Sequence, residues 1–141
     1  MHDLALLHAA ATWALVGLIW TVQVVLYPQF HHVGREHFDA YHAGHMMRIT
    51  LALAPLLLVE MGSAGWLLWQ GERSGWFLAS LPFMGVNIGS TFLLQVPLHG
   101  RLSTQYSEAV IRRLIVTNWV RTLAWTARGG CVLMWLRMVC E

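Results

Sequence analysis

The sequence predicts an all-α integral membrane protein, a four-transmembrane-helix bundle with a short amphipathic interfacial helix between the third and fourth helices. Three observations predict it. The 141 residues are 57% hydrophobic and only 11% charged, against about 25% charged in an ordinary soluble domain. Mean hydropathy is +0.53. Apolar runs long enough to cross about 30 Å of hydrocarbon recur along the chain, parted by short polar stretches. A chain this short then holds one membrane domain, residues 1–141, with little left for a soluble module.

The first span is set at about 4–28. No Asp, Glu, Lys or Arg occurs between Leu4 and Gly34, and Pro28 is expected to end or bend the helix. Its opening, MHDLALLHAAATWALVG, lacks a basic leading segment and runs too long for a cleavable signal, so it reads as a mature helix. The second span, 47–70, is interrupted by Pro55 and Glu60, and GERSG (71–75) makes a tight polar turn. The third, 76–97, carries no charge; the fourth, 116–139, contains Arg121 and Arg128. Between these two, HGRLSTQYSEAVIRRLIV reads as an amphipathic surface helix, with Glu108, Arg112 and Arg113 outward and Val110, Ile111 and Leu114 toward lipid or protein. No internal repeat, linker or low-complexity tract is evident.

Trp66, Trp69, Trp76 and Trp135 gather at the 71–75 turn and the C-terminal end, where an interfacial aromatic belt belongs. Six arginines (Arg35, Arg48, Arg101, Arg112, Arg113 and Arg121) lie at or near the opposite, long-loop face, against Arg73 and Arg137 on the first. The positive-inside rule then puts the long loops in the cytoplasm and both termini in the periplasm of a bacterial inner membrane. All nine cationic residues are arginine, through codon bias or through the value of a forked donor for carboxylates and phosphates. Cys131 and Cys140 form no CxxC pair.

Polar residues fall into stripes. Trp20, Gln23, Tyr27 and His31 share a face of the first helix; His42, His45 and Arg48 step by three, with Glu60 nearly in line. Asn87, Thr91, Gln95 and His99 step by four; Asn118, Arg121, Trp125 and Arg128 are spaced 3, 4 and 3. Charge at the bilayer centre is costly, so the stripes are expected to face inward onto one cavity. Glu60 and Arg128 reach similar depth and are expected to pair across Asn87, as a brace or as an active group. Three cations (Arg48, Arg121 and Arg128) against the single acid Glu60 call for an anionic or oxygen-bearing ligand, though Arg48 or Arg121 snorkelling to headgroups is the alternative.

The expected ligand-binding set is therefore Arg48, Arg121, Arg128, Asn118, Gln23, Gln95 and Tyr27, around a lipophilic small molecule. His42, His45 and Glu60 are the catalytic candidates. His31, His42, His45 and His99 are candidate ligands of a transition metal (Cu, Fe or Zn); the alternative is that these histidines carry protons or hydrogen bonds at the interface. Haem is a further reading, with His8 as an axial ligand, but His8 lies toward the opposite face from His42 and His45, and a packed, hydrogen-bonded histidine is the plainer one. No nucleophile motif and no phosphate-cradling loop occurs, and nothing suggests nucleic acid.

WTVQVVLYPQF, FDAYHAGHMMRIT, VPLHGRLS and TNWVRTLAW, in this order over four spans, resemble a group of small bacterial membrane proteins loosely similar to the anthrone-oxygenase-like family. The shared marks here are Pro97, Leu98, Arg101, Leu102, Asn118 and Arg121; His42, His45 and His99 depart from that pattern. The resemblance implies oxygenation of a hydrophobic phenolic substrate. His8 followed by Trp13 is more weakly similar to HemJ-type protoporphyrinogen oxidases. Three functions are weighed: an oxidoreductase or oxygenase; a non-enzymatic accessory or lipid-, quinone- or cofactor-binding subunit, as a homo-oligomer or in a larger membrane complex; and a proton or anion conduit.

Overall fold

The computed structural model describes residues 2–141, and these are almost wholly helical, with no strand among them. Helical segments run His2–His32, Arg35–Trp69, Gly75–Leu102 and Glu108–Cys140; they are called the first to fourth helices below. The first three are long and apolar enough to cross a membrane. The fourth is long enough but too polar to join them, because five of its 33 residues are arginine.

Two boundaries differ from expectation. The separate amphipathic helix between the third and fourth spans is absent. Val96–Leu102 continues the third helix, and Glu108 already begins the fourth, where the Ser107 hydroxyl caps it by accepting from the Val110 N–H at 3.4 Å. The amphipathic pattern was real, but it belongs to the first turns of a helix running on to Cys140. Pro28 likewise does not end the first helix, which runs four residues past it to His32.

Both proline sites share a construction. The first helix widens into a π-turn over Val22–Leu26 and the third over Thr91–Gln95. Each closes with a bond from the residue just before the proline: Tyr27 N–H to Val22 O, and Val96 N–H to Thr91 O. A proline ring clashes with the carbonyl four residues back, so one extra residue in the turn makes room and keeps the backbone bonded.

The fourth helix packs against the first and the third, and the first packs on the second. No comparable contact joins the second to the third, so a seam runs between them. Core packing is split in two. Leu15, Ile19, Phe30, Phe38, Leu102 and Ile111 fill the end near the long loops, and Ala5, Ala64, Leu67, Phe77, Val132 and Trp135 fill the end near the 70–74 turn. In that turn Gly71 takes φ 89°, open to glycine at little cost. Glu72 accepts from the Ser74 N–H at 2.8 Å; partial burial pushes its carboxyl up, but donors from Ser74, Trp135 and Arg73 together outweigh this and hold it below the usual carboxylate range.

Gly129 sets the approach of the first and fourth helices. A Cβ there would stand 3.1 Å from Val16 Cγ2 and 3.5 Å from the Trp13 ring. Gly129→Leu is expected to cost about 2 kcal/mol through overpacking. Thermal unfolding of the solubilised protein checks this; a variant as stable as the parent would show the contact to be loose.

Candidate functional site

The polar stripes do meet, but as two centres. The deeper one is built on Arg128, which is fully buried. Its Nε donates to Glu60 Oε1 at 2.7 Å, so the expected ion pair is present. Asn87 does not bridge it: both polar atoms of its side chain find no partner in the chain. Ser80 and His8 face the other two guanidinium nitrogens. Nη1 donates to the Ser80 carbonyl at 2.9 Å and to its hydroxyl at 3.0 Å, and Nη2 lies 3.3 Å from His8 Nε2. Thr12 Oγ1 adds a bond to Glu60 Oε1 at 3.0 Å.

The tautomer of His8 follows from its partners. Ser63 spends its hydroxyl hydrogen on the Val59 carbonyl at 2.6 Å, or on that of Glu60 at 3.1 Å, so its oxygen accepts from His8 Nδ1 at 2.8 Å. His8 Nε2 is then the acceptor facing Arg128. With both ring nitrogens engaged and the ring held edge-on to Phe77 and Trp135, His8 is packed and hydrogen-bonded. One cation meets one anion here, and each of the three guanidinium nitrogens has an acceptor within reach. This is the chemistry of a brace.

The second centre is not balanced. Arg121 is only 5% exposed. Nη1 donates to Asn118 Oδ1 at 3.2 Å, and its guanidinium lies 5.4 Å from the Trp125 ring centre. Nε finds no partner, and no carboxylate among the described residues forms an ion pair with it. Asn118 is fixed in turn by Gln23: Nδ2 donates to Gln23 Oε1 at 2.9 Å, and Gln23 Nε2 donates to the Ile115 carbonyl at 3.2 Å. Gln95 Nε2 donates to Thr117 Oγ1 at 3.1 Å while its Oε1 stays unpartnered. The two π-turns supply these glutamines: Gln23 lies in one and Gln95 ends the other.

Beside Arg121 is a cavity of about 120 Å³ in the seam between the second and third helices. Its walls are apolar, with Ile19, Ile49 and Leu53 among them, and Tyr27, Gln95, His99 and Arg121 stand at its polar end. From there a run of side-chain contacts leads outward. Tyr27 Oη lies 2.9 Å from His99 Nε2, His99 Nδ1 lies 3.0 Å from His42 Nε2, and His42 Nδ1 lies 3.5 Å from the hydroxyl of exposed Ser103. The imidazoles of His42 and His45 both stack on His99, with ring centres 5.2 and 6.1 Å away.

Of the expected ligand-binding residues, Arg121, Gln95 and Tyr27 line this cavity, with Asn118 and Gln23 behind Arg121. Arg128 and Glu60 belong to the deeper centre. Arg48 is exposed and lines a different groove, with His45. Among the candidate metal ligands, His42, His45 and His99 come together, whereas His31 is exposed on the Phe30–His32 turn and makes no ring contact with them. Among the described residues no group of three or more His, Cys, Asp or Glu is arranged to hold a metal ion. His42 and His99 direct nitrogens at each other, and a shared ion would have to displace that bond.

Sequence reasoning missed Thr12, Ser63, Ser80 and Ser103. Ser63 had a signal, lying one turn beyond Glu60 on the same face. Lone hydroxyls in apolar helices otherwise look alike whether they face a partner or bond their own backbone. No family model, no curated protein and no solved structure matches the chain.

Proposed function

We propose that the chain is an integral membrane protein of four transmembrane helices. Its cavity at Arg121 takes a lipophilic ligand by an anionic or oxygen-bearing end. The ligand reaches it sideways from the bilayer, through the seam between the second and third helices. The fourth helix crosses in spite of its arginines because Arg121 and Arg128 turn inward, where their charge meets protein instead of lipid. The placement read from the arginines, with long loops cytoplasmic and termini periplasmic in a bacterial inner membrane, belongs to this proposal.

One observation carries the reading: a buried guanidinium with no carboxylate partner and a free N–H, next to an apolar cavity. A buried cation is costly unless paired, and a carboxylate, phenolate or carbonyl oxygen is the partner its fork suits. Isothermal titration of the protein in nanodiscs with 4-phenylphenol and with dodecanoate tests this. Binding of at least one probe, weakened roughly tenfold or more in Arg121→Gln, is expected. No binding of either, or equal binding by the variant, would overturn it.

Oxidation or oxygenation of the bound molecule is a second reading, favoured by the stacked imidazoles of His42, His45 and His99 beside the cavity. In it His42, His45 and His99 would have to part from one another to hold a transition metal, which would supply the redox chemistry, and Tyr27 would orient the substrate oxygen. Elemental analysis and an optical spectrum of gently solubilised protein check it. Stoichiometric Cu, Fe or Zn is expected, lost in both His42→Ala and His45→Ala; metal-free protein without a redox spectrum removes this reading and leaves the binding one standing.

A further inference from the structure

A second groove, of about 290 Å³, opens between the first and second helices beside the Arg121 cavity, with which it shares Leu18 and Ile49. Its polar wall is Tyr41, His45 and Arg48, which share one face of the second helix. Its apolar wall is Leu18, Leu26 and Ile49. Arg48 is exposed and makes no ion pair or side-chain hydrogen bond among the described residues. His45 is 92% buried by its 8% exposure, and its Nε2 has no partner. Phe30 holds that ring edge-on at 5.0 Å, so it does not swing away. Tyr41 donates its hydroxyl hydrogen to Gln29 Oε1 at 3.2 Å, leaving its oxygen lone pairs to accept.

Tyr41 and His45 stand toward the long-loop end with Leu26 facing them, and Leu18 lies about two helical turns deeper than Leu26 on the facing wall. An exposed cation and the edge of a mostly buried imidazole on one wall, with leucine and isoleucine on the other, match the two halves of one molecule. We infer that this groove is a binding site for an anionic phospholipid, with its phosphate on Arg48 and His45 and one acyl chain along Leu26, Ile49 and Leu18. A guanidinium fork takes phosphate oxygens in pairs, and basic pockets between membrane helices suit such headgroups. Generic snorkelling of Arg48 accounts for its charge but not for the buried, unpartnered imidazole beside it. The site rests on the proposed membrane placement; its polar wall of Tyr41, His45 and Arg48 is not part of the Arg121 cavity.

Native mass spectrometry tests it, with protein released from micelles doped with equal phosphatidylglycerol and phosphatidylcholine. The expected result is preferential retention of one phosphatidylglycerol. Arg48→Gln should lower that occupancy roughly tenfold, while Arg112→Gln, an exposed arginine outside the groove, leaves it unchanged. Arg48→Lys keeps the charge and should retain an intermediate share. Equal retention of both lipids, or unchanged phosphatidylglycerol in Arg48→Gln, overturns the proposal. Displacement of the lipid by millimolar inorganic phosphate also overturns it, since the site would then serve a free anion. Failure of the protein to enter micelles or nanodiscs at all would sink the membrane placement itself, an outcome distinct from loss of lipid preference.

Discussion

Glu60→Leu is expected to destabilise the protein by about 3–5 kcal/mol, the cost of leaving a buried guanidinium without its counter-charge. Arg128 has no route to solvent: it is fully buried, and Ser80 and His8 offer it only neutral acceptors. Thr12 would lose its acceptor as well. The double variant Glu60→Leu, Arg128→Leu should recover most of the loss, because apolar side chains of similar volume can replace a buried pair at little cost. The coupling is read from a double-mutant cycle on unfolding of the solubilised protein. Additive losses in the double variant would show that the two charges do not stabilise each other, and that the brace lies in Ser80 and His8.

Helical periodicity made the inward stripes legible, and with them Glu60 opposite Arg128 and Asn118 beside Arg121. Residue spacing fixes which side chains share a face, and a charge inside an apolar run has few places to go. Register was harder to see. Asn87 shares a face with Ser80, which does meet Arg128, but it lies seven residues, about two helical turns, further along the same helix, where it lines a small apolar pocket with Trp125 instead. The two π-turns were hidden behind Pro28, which read as an end or a bend, and Pro97, which read as the end of the third span. Arg48 fell in the same stripe as His42 and His45, but it looks outward over a separate groove. One stripe on a helix of 35 residues is wide enough to serve two sides.

Arg121→Leu should make the empty protein more stable and the site useless. In most buried networks removing a polar group costs stability, but Arg121 has only neutral partners, Asn118 and the nearby Tyr27 hydroxyl, and a cation–π contact to set against its desolvation. A leucine there would fill similar space next to Ile19 and Leu53 and shed the unpaired charge. Stability of the ligand-free protein is expected to rise by about 1 kcal/mol or more, while binding of 4-phenylphenol or dodecanoate falls roughly a hundredfold. Arg128→Leu, at the balanced centre, should show the opposite on stability, losing several kcal/mol. The contrast separates the two buried arginines by purpose: one holds helices together, and the other is kept at a cost that only a bound partner offsets. If Arg121→Leu proves as damaging to the empty protein as Arg128→Leu, Arg121 is a second brace, and the cavity beside it is only a gap in the packing.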